Sequence, residues 1–275
     1  LDIASTRTAP STRTKVWFRA AAYSNQLLSI ASVCVGFLAW QLLHASAIIS
    51  PELLPGPGDV YNAFVQIVHE GYRGTTLGQN ILSTLGRCAS GFLFACVTGI
   101  PLGLWMGMSR PVAAAVDYVV QFMRPLPPLS YLILLILWFG TGNTSKIGLL
   151  YLTAFPIVVS SAMAGVRSVK TQKVQAGYSL GASRWQVFRY VVFPSALPTI
   201  FTGTRIALAA AFSTVVAAEL MAATDGLGWM IVSASQFLRN DVIILGIIIL
   251  GVLGLSLNRL VLALDQATVH WRGVE

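Results

Sequence analysis

A chain of 275 residues that is 55% hydrophobic and 10% charged does not have the make-up of a soluble domain, in which about 25% of residues carry charge. The formal net charge of +8 is spread between apolar stretches, which argues against a nucleic-acid-binding face. Cys34, Cys88 and Cys96 all lie in or beside apolar runs without C-x-x-C spacing, so buried inert thiols are expected, with neither a disulfide framework nor a metal site.

Residues 1–25 are rich in Ser, Thr and Arg and read as a loosely ordered cytosolic tail. The rest, 26–275, reads as one all-α, polytopic membrane domain. Near-chargeless stretches approach the roughly 20 residues that cross a bilayer core as helix. They predict six spans, near 27–48, 88–108, 112–140, 145–166, 201–223 and 242–264, the third long and interrupted. Ala45-Ser46-Ala47 resembles a signal-peptide cleavage site, but the preceding apolar run is long and five spans follow, so an uncleaved first span is expected.

After span 1, the turn-rich segment 50–58 leads to Asp59, which can cap a short helix running to about Gly71, with Val60, Phe64, Ile67 and Val68 on its apolar side. Span 2 carries Ala95, Gly99, Gly103 and Gly107 at spacing four, which lets another helix backbone come close. Pro101 in the same span predicts a kink. Span 3 contains Arg124-Pro-Leu-Pro-Pro128, which should break the helix, because residues before proline are driven out of the helical region. Broken backbone at membrane depth is tolerated only inside protein or along a watery cavity. Arg124 is a costly charge there: either it borders a path for an anion, or it snorkels to the interface or caps carbonyls freed by the break. Ser130, Ser160, Ser161, Ser213 and Thr214 either line a polar path or simply pack. Glu219, the one carboxylate well inside a span, either meets a substrate amine or makes an ion pair or hydrogen bond within the bundle.

Lys and Arg give the orientation. Four of them precede span 1, Arg110 separates spans 2 and 3, five lie between spans 4 and 5, and Arg259 and Arg272 end the chain. Arg73, Arg87, Lys146 and Arg239 fall on the other side. The positive-inside rule therefore puts both termini in the cytosol. On that side, 175–194 forms an amphipathic, basic island. It reads as two short helices joined at a left-handed Gly181, with Ser183 and Gln186 at capping-box spacing and Pro194 as the stop. Such a helix pair suits docking of a soluble partner. Residues 225–240, entered by Gly-Leu-Gly, are too short and polar to span and suit a half-inserted helix on the outer face.

Catalytic chemistry is thin. Gly177-Tyr-Ser179-Leu-Gly181 matches a serine-hydrolase nucleophile elbow, and Asp265 and His270 follow in order, but that motif needs a strand–turn–helix context and the flanks here are helical. His44, His69 and His270 lack ligand spacing, and there is no Gly-rich phosphate loop, so any ATPase would be another chain.

The segment 175–194 resembles the cytosolic loop of permease subunits of binding-protein-dependent ABC importers. Gln175, Ala176 and Gly177 stand for the opening Glu-Ala-Ala triplet, Gly181 for the loop glycine, and Val191, Phe193 and Pro194 for its end; Ala182 and Ser183 complete the turn. Gln at 175 removes the acidic contact of the pattern. The likeness covers roughly 50–272, including Leu54-Pro-Gly-Pro57, Gly99-Ile-Pro-Leu-Gly103, Trp138-Phe-Gly140 and Gly226-Leu-Gly228. It is nearest the taurine, aliphatic sulfonate and nitrate branch, with Ala218 to Met230 and Trp271-Arg-Gly273 most similar to taurine permeases. The resemblance implies the type I importer permease fold with about six transmembrane helices, in a bacterial inner membrane. It implies a second copy of the chain, a cytosolic ATPase dimer that itself binds ATP and Mg and docks on coupling helices at about 168–193 of this chain, and a periplasmic or lipid-anchored binding protein. It implies alternating access, no catalytic residue or cofactor in this chain, and no nucleic acid. The anion expected is a sulfonate such as taurine, with nitrate, bicarbonate or an aromatic acid as alternatives.

Overall fold

A computed structural model describes residues 12–46 and 48–269 and is helical almost throughout; the described residues contain no strand beyond an isolated bridge between Tyr72 and Thr75. The chain divides into two units, residues 1–62 and 63–275.

In the first unit, α1 runs over Thr12–Ala45, so the tail expected to be loose is helical from Thr12; residues 1–11 and Ala47 lie outside the described part. The apolar portion is Ile30–Ala45. Trp40 Nε1 donates to the Pro55 carbonyl at 3.1 Å, and His44 Nδ1 lies 2.9 Å from the Leu54 carbonyl, which ties the turn-rich segment to the end of α1. Helix α2, Pro57–Glu70, belongs to the first unit as far as Asn62 and to the second from Ala63, and it starts where Asp59 accepts from the Gly56 amide at 2.8 Å. Its buried stripe is Val60, Ala63 and Ile67, whereas Phe64 and Val68, expected on that face, are exposed. The i, i+3, i+7 positions carry the burial, and a small alanine serves where the larger apolar residues suggested otherwise.

The second unit is a bundle. Helix α3 spans Leu77–Met108, eleven residues earlier than the apolar run suggested; a capping box between Thr76 and Gln79 starts it. It is continuous through Pro101. Helices α4, Arg110–Met123, and α5, Pro128–Phe139, meet at 98° across the proline-rich break, as Arg124-Pro-Leu-Pro-Pro predicts. Helix α6 is Asn143–Arg167. The segment after it holds α7, Thr171–Ser179, and the four-residue α8, Arg184–Val187. A π-helical turn, Phe188–Val192, then feeds α9, Phe193–Ala222. Pro194 therefore does not stop the helix. The Phe193 amide bonds the Phe188 carbonyl, and this wider register accommodates a proline that has no amide to give to the residue four back. Span 5 accordingly begins at Arg184 rather than near 201. The short α10, Leu227–Ser235, precedes α11, Asn240–Thr268.

Four of these helices are long and apolar enough to cross a membrane, and the bent α4–α5 pair makes a fifth candidate. Helices α3 and α6 run parallel, in register along the small-residue stripe. A Cβ on Gly91 would sit 2.5 Å from Leu150, on Gly103 2.4 Å from the Val159 carbonyl, and on Gly107 2.5 Å from Val166. Close packing is thus what the spacing of four provides. Helix α9 runs antiparallel to α6, with Gly165 against Ala196 and Gly203 against Ser161, and α11 returns alongside α9, with Gly254 against Phe212. The core between α3, α6 and α9 is aliphatic, with Leu150, Ala154, Val158, Ala211 and Val215 fully buried.

Candidate functional site

Three features stand out in the bundle: the loop between α6 and α9, a cavity beside the proline break, and a buried polar cluster at the end opposite the loop.

The loop is built by complementary caps. Gly181 has φ +78°, its amide donates to the Tyr178 carbonyl at 2.9 Å, and the Ala182 amide donates to the Gly177 carbonyl at 3.2 Å. This Schellman pair closes α7. Two residues on, the Gln186 amide donates to Ser183 Oγ at 3.3 Å, while the Gln186 side chain accepts from the Ser183 amide at 2.7 Å, which opens α8. A Cβ on Gly177 would lie 3.2 Å from Val187, so the smallest residue stands where α7 rests on the next helix. No α7 residue is buried, Gln175 and Ala176 included. Leu180, Trp185 and Tyr190 are exposed around a 380 Å³ groove lined by Gly177, Gly181, Ala182 and Gln186 among others. These exposed aromatic and aliphatic side chains, Trp185 packed on Phe188 at 5.4 Å, share the segment with the exposed Lys170, Arg184 and Arg189 and give it an amphipathic surface suited to a protein partner.

The cavity, 640 Å³, lies between α5, α6 and α9 and the break. Arg124 and Ser160, expected on a path, both line it, as do Ser161 and four residues the sequence did not single out: Tyr131, Thr153, Thr199 and Thr202. Arg124 ends α4, is exposed, and donates to Gln121 Oε1 at 3.3 Å. The other path candidates lie elsewhere. Ser130 bonds the Pro127 carbonyl in the first turn of α5, Thr214 is buried and donates to the Ala210 carbonyl at 2.8 Å, and Ser213 lines a separate shallow groove between α9 and α11.

Glu219 is also off the cavity. It is fully buried, with Oε1 2.7 Å from Arg87 Nη1; Thr84 Oγ1 donates to the carboxylate at 2.9 Å and the Gly228 amide at 2.9 Å. Arg87 also bonds Asn143 Oδ1 at 2.8 Å and both the side chain and carbonyl of Asp225. Lys146, buried nearby, donates to the Thr141 carbonyl at 2.7 Å. Burial alone would raise the Asp225 carboxyl; hydrogen bonds from Ser83 and Arg87 and the charges of Arg87 and Lys146 outweigh it and hold it below its ordinary value. Arg87 and Lys146, expected as loop charges, thus sit inside the bundle: each is paired or capped, so the helix ends around them can be buried. The two glycines of Gly226-Leu-Gly228 are required here, since Cβ atoms would fall 2.5 Å from the Glu219 carboxylate and 2.7 Å from the Val216 carbonyl.

Ser179 is the last residue of α7, with helix before and after it; Asp265 is buried on α11 and His270 lies outside the described residues, as do Trp271, Arg272 and Gly273. The strand that a nucleophile elbow needs is missing among the described residues. Cys88 is buried, Cys96 partly buried and Cys34 exposed on α1; all three are free thiols.

Residues 99–270 match the family model described as binding-protein-dependent transport system inner membrane component. The chain is 42% identical to the taurine transport system permease protein TauC of Escherichia coli over 90% of each chain. It is 36% identical to the nitrate import permease protein NrtB of Synechococcus elongatus, covering 82% of this chain and 84% of that one. It is 32% identical to the putative aliphatic sulfonates transport permease protein SsuC of Bacillus subtilis, covering 85% and 83%. Among solved structures, an inward-facing MetNI methionine ABC transporter shares the fold, with TM-score 0.57, 21% identity, and 68% and 95% of the two chains covered.

Proposed function

Because this chain belongs to the binding-protein-dependent inner membrane components, as a permease of the taurine, sulfonate and nitrate branch with its ATPase on a separate chain, we propose that it carries a small organic anion, a sulfonate such as taurine, inward through a homodimer. The carrying observation is the doubly capped α7–α8 pair, which holds apolar and aromatic side chains outward at one end of the bundle. In this proposal the ATPase dimer, holding ATP and Mg, seats on Gln175 to Ser183. Its closure moves 168–193 and through them α6 and α9, which alternates access to the cavity. A periplasmic or lipid-anchored binding protein delivers the anion at the α10 end, and both termini face the cytosol. Arg124 supplies the positive field at the break, and Ser160 belongs to the α6 part of the lining. Nitrate, bicarbonate and aromatic acids are the alternatives within the same machine; the name of the taurine relative, 42% identical, favours the sulfonate.

The test is uptake of labelled taurine by vesicles holding the permease, its ATPase and its binding protein. ATP inside should drive accumulation that nitrate does not compete away. Accumulation of nitrate in place of taurine would overturn the substrate, and lack of ATP-driven uptake of any of the four candidate anions would overturn the importer reading.

A further inference from the structure

Helix α4 divides lengthwise into three sectors. At about 100° per residue, Ala113, Val116 and Val120 fall on one side, and they pack in one cluster with Val159 and Met163 of α6. Tyr118, Val119 and Phe122 form a second sector, apolar and exposed, which suits hydrocarbon. Arg110, Asp117, Gln121 and Arg124 form the third, within an arc of about 60°. Asp117 is half-buried and the other three are exposed.

The polar sector is continuous. Arg124 Nη1 donates to Gln121 Oε1 at 3.3 Å, and Gln121 Nε2 donates to Asp117 Oδ1 at 3.4 Å. Arg124 lines the 640 Å³ cavity beside the break. Asp117 and Gln121 instead line a separate 400 Å³ groove, together with Arg110 and with Arg167, the last residue of α6. The Gln121 amide therefore joins the two spaces, and the groove ends where α6 runs into the loop that holds α7. Helices α4 and α5 together are a candidate broken span. Charged side chains on such a span turn to protein or water rather than to lipid, and on α4 the second sector already serves the lipid.

We propose that the polar sector of α4 is the cytosolic exit of the transport path. A small anion leaves the cavity at Arg124, passes Gln121 and Asp117, and is released between Arg110 and Arg167. The proposal rests on the anion import argued above and adds its route. Three guanidiniums against one carboxylate keep the track positive along its length. Conduction also needs each stop to let go. Asp117, midway between the arginines, repels the anion and keeps any one of them from becoming a trap.

The permease–ATPase complex in inside-out vesicles allows the test, with single cysteines in a background lacking Cys34, Cys88 and Cys96. The probes are two impermeant methanethiosulfonates, one carrying a sulfonate and one a quaternary ammonium. Thr171→Cys in the loop is the positive control. Without nucleotide, Ala114→Cys and Gln121→Cys should react with both probes. The anionic one should be faster by about threefold or more, after each rate is divided by its rate with a free thiol. Val119→Cys, in the apolar sector, should react with neither. Arg110→Gln with Arg167→Gln should erase the preference at position 114. ATP with vanadate, which holds the ATPase dimer closed, should slow both positions about tenfold as the exit shuts. ATPase co-purification reports the assembly of every variant, and Ala114 carries no side-chain hydrogen bond to lose. Silence at 114 and 121 would mean that protein or lipid covers the face, equal rates for the two probes would remove the positive track, and rates indifferent to ATP and vanadate would leave a static groove. Each of these overturns the exit. ATP-driven taurine uptake by the unaltered complex would still stand, so failure of the route and failure of the importer reading are distinguishable.

Discussion

Arg87 and Glu219 stand 132 residues apart in the chain and meet at 2.7 Å, one 3% and the other 0% exposed. Thr84, Asn143, Asp225 and the Gly228 amide complete the hydrogen bonds of the pair, so four separate segments converge on one carboxylate and one guanidinium. A buried pair of this kind adds little over apolar residues of the same size, but breaking it strands a charge.

Arg87→Met should therefore lower stability by about 3–5 kcal/mol, the usual penalty for removing one partner of a buried pair. Thermal unfolding in detergent checks this. The double variant Arg87→Met with Glu219→Met should unfold at a higher temperature than Arg87→Met alone, because no charge is left unpaired. A double variant worse than the single would mean that the pair is intrinsically stabilising.

Gly228→Ala should free α10 from α9. Its Cβ would meet the Val216 carbonyl at 2.7 Å and Glu219 Cβ at 2.8 Å, neither of which is the end of a flexible side chain. Amide exchange across Leu227–Ser235 should accelerate at least tenfold, about 1.4 kcal/mol of lost protection. Unchanged exchange would show that the hairpin is held by other contacts.

Gly181→Val should uncouple the complex without unfolding the bundle. The site is open, with nothing within 4 Å of a Cβ, so the cost is conformational: a β-branched residue is forced to φ +78°. Gly181→Asn, which tolerates that region, should retain uptake. Normal ATPase co-purification and uptake in the Val variant would remove 175–194 as the docking element.

The orientation can be read with single cysteines in a background lacking Cys34, Cys88 and Cys96. Gly78 and Gln236 are exposed at the α10 end, and Thr171 is exposed at the loop end. An impermeant thiol reagent should label Gly78→Cys and Gln236→Cys in intact cells, and Thr171→Cys only after the membrane is opened. Labelling at 171 in intact cells would invert the topology.

Arg124→Gln keeps hydrogen-bonding capacity and deletes the charge. It should lower uptake severalfold with assembly intact, and lower it more for a simple anion than for a zwitterion, which gains less from a lone positive field. Unaltered uptake, or failure to assemble, would make Arg124 a structural residue of the break.

Much of this architecture is written locally. The glycine stripe of α3, the break at Arg124-Pro-Leu-Pro-Pro and the caps around Gly181 each depend on neighbours within a few residues, so residue type and spacing sufficed. Pro194 misled because its meaning depends on the register of the preceding turn, and no residue in Phe188–Val192 announces a π turn. Arg87 misled for the opposite reason. Its partners Asn143, Glu219 and Asp225 are 56 to 138 residues away, so a charge at the edge of an apolar run looked like a loop residue. The cavity was half legible: Arg124 and Ser160 stood out as polar groups in apolar spans, whereas Thr153 and Thr199 became its wall only when α6 and α9 packed antiparallel.

The unbroken passage through Pro194 has a mechanical meaning. From Arg184 to Met221 the backbone is one 38-residue rod, about 57 Å long at 1.5 Å per residue. Its first turn carries the exposed Trp185 of the loop, and its last turns carry Glu219. A torque applied to the loop therefore meets two softer places, the π turn and the turn at Pro198, whose missing amide leaves a helix hydrogen bond unmade. Whatever those turns do not absorb arrives at the carboxylate that clamps the far hairpin.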